Sequence, residues 1–175
     1  MRKLGIGVCL ALFVLASTVA LAQGFKRISE FLVGYQEVPA VSTTGNAEFH
    51  ARISNDDSEI EYQLSYSELE GNITQSHIHL GQRGVNGGIM VFLCSNLGNG
   101  PAGTQACPAP PATITGTLRA SNMVAGAAAQ GIAPGEFDEL IRALRAGVTY
   151  VNIHSSIWPG GEIRSQIDGN SGHER

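Results

Sequence analysis

The feature that most narrows the fold is a two-residue alternation of apolar and polar side chains along much of the chain. In AEFHARI, Ala47, Phe49, Ala51 and Ile53 share one side, while Glu48, His50 and Arg52 share the other. In EIEYQLSY, Ile60, Tyr62 and Leu64 oppose Glu59, Glu61 and Gln63. Successive side chains of a strand point to opposite faces, so this period marks half-buried β-strands. TITGTL and GEIRSQI alternate in the same way. GIMVFLC is apolar on both faces and reads as a central strand. Turn-forming clusters separate the runs at 44–46, 55–57, 71–72, 86–88 and 159–161. The pattern predicts a mostly β domain, with about eight antiparallel strands in a Greek-key-like sandwich or barrel.

One segment has the other period. In PGEFDELIRALRAG, Phe137, Leu140, Ile141 and Leu144 recur at i, i+3, i+4 and i+7. Pro134 can open a helix there, acids fill its first turn, Arg142 and Arg145 suit its last, and Gly147 can close it. This predicts one crossover helix near 134–146. The SNMVAGAAAQG stretch before it has little pattern and reads as a loop.

The chain starts MRKLGIGVCLALFVLASTVALAQ: a basic start, a short apolar core and a small-x-small site at Ala20–Ala22. This predicts a signal peptide over 1–22, a β domain over 23–168 and a flexible tail over 169–175. The expected location is secreted, extracellular or periplasmic. Removing Arg2 and Lys3 takes the 11 basic residues to 9 against 15 acidic ones, a formal net charge of −6. That balance argues against nucleic acid as a partner. No second apolar run reaches the 20 or so residues of a membrane span. Loss of Cys9 leaves Cys94 and Cys107, an even count that suggests one disulfide in an oxidising compartment.

The candidate chemistry lies in SHIHLGQRGVNGGIMV. His77 and His79 are two residues apart on a strand, so they project from one face, about 7 Å apart at Cβ. His154 closes VTYVNIH and shares a face with Tyr150 and Asn152. If the strands meet, three imidazoles converge, the donor set of a copper or zinc site with an open position. The competing reading is structural, with the histidines hydrogen-bonding a glycine-rich turn. His50 lies on a polar face and reads as solvated. Glu37 and Glu162 are candidate accessory carboxylates. Glu162 also shares a strand face with Arg164, which reads as a surface ion pair. Trp158 reads as packing at one end of the core. The sequence has no G-x-S-x-G elbow, and no catalytic cysteine if Cys94 is bridged.

Three blocks resemble the CHRD domain, the repeat named after chordin. They are FLVGYQEVPAVSTTGNAEF, SHIHLGQRGVNGGIMVFL and GEFDELIRALRAGVTYVNIHSSIWPGGEIRSQI, in the family's order within residues 28–167. The resemblance implies an extracellular β-sandwich or barrel. The 175 residues hold one copy and no cysteine-rich module of the kind chordin is thought to use on growth factors, so growth-factor binding is not carried over. The expected function is a secreted binding or structural module, non-enzymatic, with an extracellular ligand or protein as partner. A transition-metal site at His77, His79 and His154 would fit it. The alternative is a copper- or zinc-dependent enzyme using the same cluster.

Overall fold

The alternating runs form eight strands: β1 Arg27–Val33, β2 Asn46–Ile53, β3 Ile60–Ser67, β4 Ile73–Leu80, β5 Gly88–Ser95, β6 Ala112–Leu118, β7 Thr149–Ser155 and β8 Ile163–Ile167. The computed structural model describes residues 27–169, so the signal peptide expected over 1–22 and all but Gly169 of the expected tail lie outside it. The strands join one antiparallel sheet in the order β5-β4-β7-β8-β1-β2-β3-β6. Neighbours such as β3–β6 and β4–β7 are far apart in sequence, so the path is Greek-key-like. The sheet curls into a nearly closed barrel whose end strands are β5 and β6.

The predicted faces are those found. Ala47, Phe49, Ala51 and Ile53 are buried, as are Ile60, Tyr62 and Leu64. They join Leu32, Ile78, Val151, Ile153 and Ile163 in one apolar cluster. His50 stands on the outside beside Glu48, at 3.6 Å, with its side chain 48% exposed. The helix, α1, spans Phe137–Arg145 and buries Phe137, Leu140, Ile141 and Leu144 in the same cluster. It starts later than expected. Gly135 has φ +89°, which a helix cannot contain, and Glu136 turns back to accept a hydrogen bond from the Ala133 N–H.

Two expectations are corrected. GIMVFLC forms β5, which lies at the end of the sheet and not at its centre. Its apolar outer side is covered by 120–130, the segment read as a loop, which forms 3₁₀ turns at Ala120–Asn122 and Ala125–Gln130. Met123 bridges to Val91, and the Val124 N–H donates to Met90 O. An edge strand covered in this way is as buried as a central one, so periodicity cannot tell them apart.

Cys94 and Cys107 are bridged, as expected. Both sulfurs belong to buried residues of the apolar cluster. The loop they close carries Gln105, whose side chain donates to Leu93 O of β5 and Thr115 O of β6. It thus stitches the seam between the two end strands, where Tyr62 Oη also donates to Leu93 O. Serine at both cysteines is expected to lower stability by about 3 kcal/mol, from the entropy of a closure of this length. Hydrogen exchange should rise along β5 and β6 as well as in the 95–106 loop. Exchange confined to the loop would show that the bridge does not hold the seam.

Candidate metal centre

β7 lies between β4 and β8, with His79 opposite Tyr150, His77 opposite Asn152 and Gln75 opposite His154. Alternation then puts His77, His79, Tyr150, Asn152 and His154 on one face, away from Val151 and Ile153. Arg164 and Gln166 of β8 extend this polar face. It does not face water. The 81–87 turn roofs it, held by Arg164 donating to Val85 O and Asn86 Oδ1 and by Gln166 donating to Gly81 O. Asn86 in turn donates to Val38 O, tying this roof to the loop after β1.

Under that roof the three predicted histidines converge. The ring centroids are 5.2 Å apart for His77–His79, 5.0 Å for His77–His154 and 6.4 Å for His79–His154. One ring nitrogen from each lies within 4.8 Å of the others. Bonds near 2 Å would bring them to about 3–4 Å, so a captured ion would draw the rings inward. The residues are 0%, 7% and 7% exposed.

The hydrogen bonds assign the ring protons. His79 Nδ1 lies 2.9 Å from Gly87 O, and His154 Nδ1 lies 2.9 Å from Pro159 O. A carbonyl only accepts, so each Nδ1 carries the proton and each Nε2 presents a lone pair. Both Nε2 atoms are buried without a partner, as are both nitrogens of His77. Metal-ligating histidines are braced in this way, one nitrogen donating to a carbonyl and the other facing the ion. Burial pushes His77 down to about 2, with the nearby His154 and His79 adding to it. Burial also pushes His79 down to about 4 and lowers His154. All three are therefore neutral at pH 7, the state that binds metal. Phe92 packs edge-on against His77, and Tyr150 stacks on His79 with ring planes 3° apart. The Arg164 guanidinium covers the Tyr150 ring, 3.3 Å from its centroid.

The two carboxylates part company. Glu37 is buried, and its carboxylate interacts with the Asn152 amide and feels the charge of Arg164. Burial pushes it up to about 7. Glu162 is also buried, but its Oε1 accepts from Thr43 Oγ1 and the Glu70 N–H, pinning two loops together. Glu162 and Arg164 are not a surface pair, being 0% and 1% exposed, because loops cover this part of the sheet. Trp158 is half-buried outside the apolar cluster and donates to Glu70 Oε2. Asn152, which interacts with both His77 and His79, was not singled out from the sequence. Its place two residues before His154 on one strand face was the available signal.

These features define a β-barrel-like domain with a buried, neutral, all-imidazole cluster. The chain matches the CHRD domain family over residues 29–167, and it belongs to that family. Comparison with curated proteins and with solved structures gave no match. The bridged cysteines fit an oxidising compartment. Among the described residues, no helix is long and apolar enough to cross a membrane.

Proposed function

We propose that this protein is an exported CHRD module, a non-enzymatic binding or structural domain that holds one copper or zinc ion through His77, His79 and His154. The observation that carries the metal is the set of lone pairs. Four buried imidazole nitrogens have no protein partner, while the Nδ1 atoms of His79 and His154 are each braced by a carbonyl. Unpaired buried polar atoms cost about 1–3 kcal/mol each, so a fold that gathers them needs a ligand that repays them. Histidine bracing of a glycine-rich turn explains the Gly87 contact of His79, but no turn carbonyl meets His77, whose polar neighbour is the Asn152 amide. Imidazole donors without thiolate suit both copper and zinc. The apolar start and the disulfide support export, and an extracellular ligand or protein is the partner that such a module implies.

Elemental analysis of protein purified from its export compartment is expected to find one copper or zinc per chain, with an intact mass beginning at Gln23. Protein that stays metal-free after incubation with either salt, with imidazole NMR signals unmoved, would remove the metal from this reading.

A further inference from the structure

The histidines are not the only buried groups here without a partner. Glu37 Oε1 and Asn152 Oδ1 are also buried without a hydrogen-bond partner. The Asn152 side chain interacts with Glu37 on one side and with His77 and His79 on the other. Glu37 reaches this position from the loop after β1 because Gly161 lets it. At φ +128°, a Cβ on Gly161 would come 2.4 Å from Glu37 Oε1. An ion held by one nitrogen of each imidazole would leave the second His77 nitrogen and both oxygens unmet. An amide oxygen only accepts, so what satisfies it must carry a hydrogen. Three protein ligands also leave a tetrahedral ion one position short.

We propose that the ion keeps its fourth position on the Asn152–Glu37 side, and that this position takes a small exogenous donor, water at rest and exchangeable for a monoanion. This rests on the metal reading above. Asn152 and Glu37 are positioning residues there, their oxygens accepting hydrogen bonds from the bound water. Arg164, whose guanidinium lies over the Tyr150 ring, brings a positive charge to this side of the site. Glu37 also lines a pocket of about 230 Å³ with Pro39, Val41, Trp158, Pro159 and Gly161.

The test loads the purified protein with copper(II), establishes stoichiometry, and then titrates azide while following absorption and electron paramagnetic resonance. The wild type is expected to develop a saturable azide-to-copper charge-transfer band. Glu37→Gln removes a negative charge beside the position and is expected to tighten azide about tenfold, within the range of outer-shell effects. Asn152→Ala removes an acceptor from the displaced water and should tighten it too, which covers a glutamine variant that fails to fold. One copper per chain with spectra indifferent to azide would overturn the open position and leave the metal site standing. Azide binding unchanged in both variants would overturn the roles of Glu37 and Asn152. A chain that takes no copper would overturn this proposal together with the reading beneath it.

Discussion

Replacing His77 with leucine is expected to weaken copper or zinc binding by at least about 100-fold and to leave the metal-free protein as stable as before, or more stable. Even outer-shell changes at metal sites cost about 10–100-fold, and His77 is proposed as a ligand. The stability side has the opposite sign from an ordinary core change. His77 is fully buried, packs edge-on against Phe92, and has no partner for either nitrogen. Leucine fills comparable space and removes two unsatisfied atoms, each a burden of about 1–3 kcal/mol. A purely structural histidine would behave differently, since its loss would break hydrogen bonds and destabilise. Urea denaturation of the metal-free variant, set beside a metal titration, separates the two. Marked destabilisation with metal affinity unchanged would show that His77 serves the fold.

Acid is expected to unfold the metal-free protein steeply below about pH 4.5. The imidazoles titrate near 6.5 in the unfolded chain, but burial holds His79 down to about 4 and His77 to about 2 in the fold, and lowers His154. Above pH 6.5 both states are neutral and this contribution to stability is complete. As pH falls below 6.5, the unfolded chain takes up protons that the folded one refuses, so stability is lost. Glu37 and Glu30 oppose this. Burial raises both from 4.5 to about 7, so their contribution is complete below 4.5 and is lost as pH rises through 7. Between 4.5 and 6.5 the imidazoles and the carboxylates therefore pull in opposite directions, and the carboxylates offset part of the loss. Below 4.5 the carboxylates no longer compensate, and the slope steepens. Denaturation midpoints from pH 3.5 to 8 would trace this curve, and His77→Leu should reduce the acid slope by about one proton. Stability that holds flat from pH 4.5 to 3.5 would mean that the imidazoles protonate within the fold.

Much of this was readable along the chain because it depends on neighbours in sequence. Alternation is a property of the extended backbone, so it predicted which side of β2 and β3 is buried and placed His77 beside His79. The i, i+3, i+4, i+7 spacing marked the buried stripe of α1, and the cysteine count suggested the bridge. Tertiary structure alone decided which strands lie side by side. Pairing of β4 with β7 joins segments that are distant in the chain, and its register sets His77 opposite Asn152 and brings His154 into reach. The loops decided the rest. The 81–87 turn and the loop after β1 fold over a face that alternation marks as polar, burying Glu37 and Arg164 where local pattern implies solvent. Segment 120–130 hides the edge of β5 in the same way. Periodicity reports the polarity of a face, whereas burial depends on what the rest of the chain lays across it. That is why the sequence could pair His77 with His79 and offer His154 and Glu37 only as candidates, while the fold decided that His154 meets the pair and that Glu37, not Glu162, lies beside it.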